Sequence, residues 1–128
     1  MSKHIFKNSG NHLPDFCRPA AELLASIGDK WTLPVLGNLQ PGAMRFTELE
    51  AAVGHGISQR MLTLTLRSLE RDGMVERTVH ATIPPRVDYA LSKRGLALLQ
   101  TLGPLHEWAV LNHEHIAQSR RDYDASGQ

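Results

Sequence analysis

Residues 58–72 read SQRMLTLTLRSLERD, and their periodicity decides how the rest of the chain is organised. On a helical wheel at about 100° per residue with Leu62 as origin, Leu66 and Leu69 fall within roughly 40° of it. Ser58, Met61 and Thr65 flank that apolar stripe, while Gln59, Arg60, Thr63, Leu64, Arg67 and Arg71 occupy the opposite arc. No acidic residue lies between Ser58 and Leu69. Such a face suits a DNA major groove: arginine donates bidentately to guanine, glutamine to adenine, and threonine meets a thymine methyl or a phosphate. Ser58 stands where a capping hydroxyl belongs, and the free N–H groups of the first turn offer a phosphate site. The wheel alone equally fits an ordinary amphipathic helix with a solvated face, so the neighbouring segments have to decide.

Upstream, Thr47 is the expected cap of TELEAAV, a brief helix ending at Gly54, and GHG leaves room only for a tight connection to Ile57-Ser58. Downstream, Gly73 stops the long helix, and two β-rich runs follow, MVERTVHAT and RVDYALS. Ile83-Pro84-Pro85 between them stiffens an extended connection and prevents a two-residue hairpin. Further out, Pro41-Gly42 marks a turn before the short strand AMRF. Asp29 is the expected cap of KWTLPVLGNLQ, whose first turn Pro34 should tilt, and Pro19 and Gly28 bound the helix PAAELLASI. Ser92 opens a last helical region that Gly103-Pro104 is expected to kink or break before LHEWAVLNHEHIAQSRR. A short helix, a tight turn, a capped helix and a β-ribbon make a winged helix-turn-helix, mainly α with a small β-ribbon (α+β). The polar stretch 1–16 is expected to be a flexible arm, residues 17–119 the domain with its flanking helices, and 120–128 a flexible tail.

Composition narrows the function classes. The chain has 128 residues, enough for one domain, and 14 basic against 13 acidic side chains give a formal net charge of +1. That balance excludes a polycation, so attraction to phosphate must come from local clustering. At 41% hydrophobic the chain can bury a core, and at 5% aromatic it is poorly suited to stacking on exposed bases. Its single cysteine, Cys17, excludes an intramolecular disulfide framework and a multi-cysteine zinc site. His113 and His115 diverge on a helix, and Val110 stands where a partner for His106 would be needed, so no metal is expected. There is no nucleophile–base pair, no paired carboxylates at a useful spacing and no glycine-rich phosphate loop; neither catalysis nor a cofactor is expected. No run approaches the roughly 18 apolar residues of a membrane span and no signal-peptide pattern opens the chain, so a cytoplasmic protein without a membrane partner is expected.

The blocks IGDKWTLPVLGNL, RFTEL, GISQRMLTLTLRSLERDGMVERTV and IPPRVDYALSKRGLALL, taken in order and spacing over roughly residues 19–110, resemble the HxlR family of bacterial transcription regulators. The resemblance implies a homodimeric winged-helix protein that binds double-stranded operator DNA and represses, or sometimes activates, nearby genes, associating with the nucleoid when bound. It also implies dimerisation through the N-terminal and C-terminal helices, and a response to aldehydes, quinones, hypochlorite or other electrophiles or small effectors. Three departures stand out. Many redox-sensing members carry a cysteine immediately before the proline of the first helix, where Arg18 stands here and Cys17 is one residue earlier. Pro34 and Gly37 are unusual within the second helix, and Leu64 stands where a polar residue is more frequent.

The candidate DNA-binding residues are Ser58, Gln59, Arg60, Thr63, Leu64 and Arg67 on the reading helix, with Arg45, Thr47, His80 and Arg86 positioning the protein on phosphates or in an adjacent minor groove. Leu64 either meets thymine methyls or packs under a neighbouring helix. Cys17 is either an oxidant-sensing thiol favoured as thiolate by Arg18, or an inert thiol packed by Phe16. Leu98, Leu102, Leu105, Ala109, Asn112 and Ile116 alternate at spacings of four and three, an a/d seam suited to pairing with a second subunit, and Trp108 belongs to the same interface. The alternative to a sequence-specific regulator is a winged-helix protein-interaction module without specific DNA binding.

Overall fold

The computed structural model describes residues 18–54 and 56–127. Cys17 and the expected arm lie outside the described residues. The elements in chain order are α1 (Arg18–Ile27), α2 (Thr32–Leu39), β1 (Met44–Arg45), α3 (Phe46–Val53), α4 (Gln59–Arg71), β2 (Val75–His80), β3 (Arg86–Leu91) and α5 (Lys93–Ala125). The mainly α architecture with a small sheet agrees with the sequence reading. The ribbon acquires a third strand, because β1 pairs with β3 and gives an antiparallel sheet in the order β1-β3-β2.

The core forms where α2, α3, α4 and one face of the sheet converge. Leu62, Leu66 and Leu69, the apolar stripe of the wheel, are buried beside Val35, Leu36, Leu39 and Leu49. Burying each of these side chains contributes about 1.5–3 kcal/mol, which pins the rotation of α4 about its own axis. Strand alternation does the same for the sheet. The register Arg77↔Tyr89 and Thr78↔Asp88 sends Val75, Arg77, Tyr89 and Leu91 to the side of α4, and Glu76, Thr78, His80, Arg86 and Asp88 to the other.

Local signals hold at several joints and fail at others. Ser58 caps α4 by accepting from the Met61 N–H at 3.0 Å, and Ser92 caps α5 by accepting from the Gly95 N–H at 3.0 Å. Thr47 is not a cap. The helix α3 begins one residue before it, and the leading bond is donated by the Arg45 N–H to Glu48 Oε1 at 2.8 Å. Asp29 is not the cap of α2 either, since Trp31 stands at that position with no side-chain cap bond; the Asp29 carboxylate instead holds the preceding turn by accepting from the Trp31 N–H at 2.7 Å. Pro34 falls in the first turn of α2, where its missing N–H would have had no intrahelical partner.

Gly103-Pro104 neither breaks α5 nor ends it, and the helix runs through both to Ala125, past the boundary expected at 119. The proline removes one hydrogen bond from a helix of 33 residues, and Pro104 and Gln100 are both exposed, so water can satisfy the freed carbonyl. The last helix starts against the core, where Leu98, Leu99 and Leu102 pack, and then leaves it. Leu105, Trp108, Val110 and Leu111 are exposed, and no residue of α1 is buried.

Candidate nucleic-acid interface

The turn between α3 and α4 needs backbone that only glycine adopts without strain, with φ of 63° at Gly54 and 89° at Gly56. The Ile57 N–H reaches back to the Gly54 carbonyl at 3.4 Å, and Ser58 then starts α4. This arrangement aims the first turn of α4 away from the core. Gln59 and Arg60 are exposed there, and Thr63 and Arg67 continue the same face at half-buried and exposed positions. The base-reading candidates are therefore gathered on one free surface, opposite the buried leucines.

Leu64 takes an intermediate place. It is 46% exposed and lines a cleft of about 340 Å³ with Ala25, Ser26 and Asp29, on the α1 edge of the reading face. The Ser26 and Ser68 hydroxyls, 3.5 Å apart, bridge α1 to α4 beside it. Thr47 sits exposed in the first turn of α3.

Two of the remaining positioning candidates, His80 and Arg86, share one acidic partner that the sequence reading missed. Asp88 Oδ2 lies 2.9 Å from His80 Nε2 and 3.4 Å from an Arg86 terminal nitrogen, and Arg45 is its strand partner across β1. His80 and Arg86 thus hold a carboxylate that is only 20% exposed, and Arg45 occupies the strand position beside it. They sit on the sheet face turned away from α4. Counting outward from the two prolines does not find this acidic partner, because the register is centred on Ile83: His80 pairs with Arg86 and Thr78 with Asp88, which places Asp88 diagonally beside His80. A second missed pair lies on the α4 side, where Arg77 Nε approaches Glu70 Oε2 at 3.5 Å.

The ribbon tip is apolar and open. Ile83 is fully exposed, and the Thr82 hydroxyl donates to the Pro84 carbonyl at 2.8 Å, closing the tip on itself. Of the dimer-seam candidates, Leu98 and Leu102 pack on the core of their own chain. Leu105, Trp108 and Ala109 are exposed, Asn112 and Ile116 are half-buried, and Tyr123 extends the same stripe two turns further while 61% exposed. Asn112 turns its amide inward to the Trp108 carbonyl at 2.8 Å.

The sequence pattern of the HxlR-like helix-turn-helix family matches residues 26–117, from the end of α1 to the last quarter of α5. The chain belongs to that family. An uncharacterised HTH-type transcriptional regulator of Methanothermobacter thermautotrophicus is 42% identical over 89 residues, spanning 70% of this chain and 67% of its own length. Among solved structures, the redox regulator HypR in its reduced form is 36% identical with a TM-score of 0.69, covering 78% of this chain and 98% of that one. Diamide-treated YodB from Bacillus subtilis is 30% identical with a TM-score of 0.67, covering 77% and 96%. Membership in the HxlR-like family, together with the exposed, capped α4, makes the protein a DNA-binding transcriptional regulator. The interaction-module alternative is set aside. Among the described residues of this HxlR-like chain, no helix is long and apolar enough to cross a membrane.

Proposed function

We propose that the protein represses transcription as a homodimer whose two copies of α4 read the half-sites of a two-fold symmetric operator. The observation that carries this reading is the outer face of α4 from Ser58 to Leu69, which bears no acidic residue, with Gln59, Arg60, Thr63 and Arg67 free of the core and the Ser58 cap at its tip. Gln59 and Arg60 in the first turn are the base-reading residues; Arg45, Thr47, His80 and Arg86 contribute to register on the backbone. Leu105, Trp108, Ala109 and Ile116 form the subunit seam with α1, because the winged core of one small chain leaves both stripes uncovered. A solved relative described as a redox regulator, and another treated with diamide, support oxidant control of DNA binding, with Cys17 as the thiol that responds.

The test is a binding titration on the promoter beside the protein's own gene, with salt variation and random-duplex competition, in reduced and mildly oxidised samples. Competitor-resistant binding that is lost on oxidation and restored by thiol supports the whole reading. Specific binding that ignores oxidation, or that stays oxidant-sensitive in Cys17→Ser, removes the role of Cys17. Absence of operator preference across a genomic pool overturns sequence-specific regulation.

A further inference from the structure

Between α4 and the sheet runs a cleft of about 280 Å³ lined by Thr63, Leu66, Arg67, Glu70, Arg77 and Tyr89. Its position matters for any duplex that α4 enters. A helix in the major groove and a ribbon tip in the adjacent minor groove are separated by one sugar-phosphate strand, and that strand has to cross the space between them. The cleft carries two guanidinium groups and one carboxylate, so its net charge is that of a single cation, the complement of one backbone phosphate.

Arg77 is the unusual member. The register places it on the sheet face that otherwise carries Val75, Tyr89 and Leu91 toward the helices, while its neighbours Glu76 and Thr78 point to the other side. What it finds there is weak. Arg77 Nε and Glu70 Oε2 are 3.5 Å apart, and the two side chains are 45% and 40% exposed. Charge-assisted bonds are ordinarily about 2.7–2.9 Å long, and exposed pairs of this kind add little to stability. Glu70 engages only the Nε edge, so the four N–H donors on the terminal nitrogens are left for another acceptor.

We propose that Arg77, together with Arg67 and the Thr63 hydroxyl, clamps one phosphate of the strand that passes between α4 and the ribbon, and that Glu70 is the intramolecular competitor for the same guanidinium. The clamp is sequence-independent, so it sets overall affinity and the angle at which α4 enters the groove. Glu70 weakens binding to every duplex alike, which keeps discrimination on the base-reading turn. This inference rests on the reading of α4 as the helix that enters the major groove.

The experiment measures the full-length protein on a random-sequence duplex and on the promoter duplex over a range of salt concentrations. Arg77→Gln is expected to lower the slope of log K against log salt by about 0.9, the value of one lost phosphate contact, with equal losses on both duplexes. Arg77→Lys restores most of the slope, since a point charge suffices for the counterion term. Glu70→Gln is expected to move the other way, tightening binding to both duplexes by roughly threefold to tenfold at low salt. Glu76→Gln, an equal charge change on the opposite sheet face, serves as the control and should have a much smaller effect.

The proposal is overturned if Glu70→Gln weakens binding as Arg77→Gln does, if both variants lower the unfolding temperature and leave the salt slope unchanged, or if Glu76→Gln tightens binding as much as Glu70→Gln. Operator preference of the unmodified protein tests the regulator reading separately. A protein that shows the opposed effects on random duplex without any operator preference keeps the clamp and loses sequence-specific regulation. One that prefers its operator and shows no change in slope with Arg77→Gln keeps the regulation and loses the clamp.

Discussion

Gly95 is the point where the long last helix is locked to the start of the ribbon, and its replacement by alanine tests that joint directly. A Cβ added at Gly95 would stand 2.0 Å from the Met74 carbonyl oxygen and 2.9 Å from its carbonyl carbon. Both atoms are backbone, so no side chain can swing aside, and α5 has to retreat from Met74 by an ångström or so. The retreat strains a compact set of bonds: the Ser92 N–H to the Met74 carbonyl at 3.0 Å and the Ser92 hydroxyl to the Gly73 carbonyl at 2.6 Å. Overpacking costs about 1–3 kcal/mol and each weakened bond about 0.5–1.5 kcal/mol, against about 1 kcal/mol gained from alanine in a helix. The expected net loss is about 1–5 kcal/mol, a sizeable part of a domain stability of about 5–15 kcal/mol. Thermal unfolding followed by circular dichroism at several protein concentrations should show a midpoint lower by roughly 5–20 °C. Gly37→Ala is the matched comparison, because nothing lies within 4 Å of a Cβ there. It should stabilise α2 by about 0.5–1 kcal/mol. A Gly95→Ala protein that unfolds at or above the parent temperature would refute the close approach of α5 to Met74.

Four further outcomes follow from the same geometry. Arg60→Ala should lose about 1–3 kcal/mol of binding on operator and little on random duplex, and equal losses on both would remove its base-reading role. Ser58→Ala deletes the acceptor for the Met61 N–H and should cost about 0.5–2 kcal/mol in urea unfolding; an unchanged midpoint would mean that water replaces the cap. Asp88→Asn removes the carboxylate shared by His80 and Arg86 and should tighten random-duplex binding at low salt; weaker binding would show that Asp88 is needed to hold those side chains in position. Trp108→Glu places a charge in the exposed α5 stripe and should shift sedimentation equilibrium toward monomer with loss of operator binding, whereas an undisturbed dimer would move the seam elsewhere.

Much of the architecture was legible because its causes are local. The leucine spacing of α4, the Ser58 and Ser92 caps and the glycine-bounded turn before α4 each depend on residues within a few positions of one another, so a one-dimensional reading captures them. Thr47 misled because a capping side chain is only one way to satisfy a first turn; here Glu48 reaches back to the Arg45 N–H instead. Pro104 misled because a rule about one missing hydrogen bond competes with the unbroken bonding of the turns on either side.

The sequence by itself determined the helix periods, the turns and the absence of acid from Ser58 to Leu69 along α4, since these are properties of neighbouring residues and their backbone preferences. Only the tertiary structure decided the third strand, the Asp88 cluster, the Glu70–Arg77 pair and the contact of Gly95 with Met74. Each of these depends on at least one pair seven or more positions apart, such as His80 with Asp88, joined through strand register or helix docking. Register and docking are set by how the buried leucines pack together, and side chains distant in the chain become neighbours only once that packing is complete.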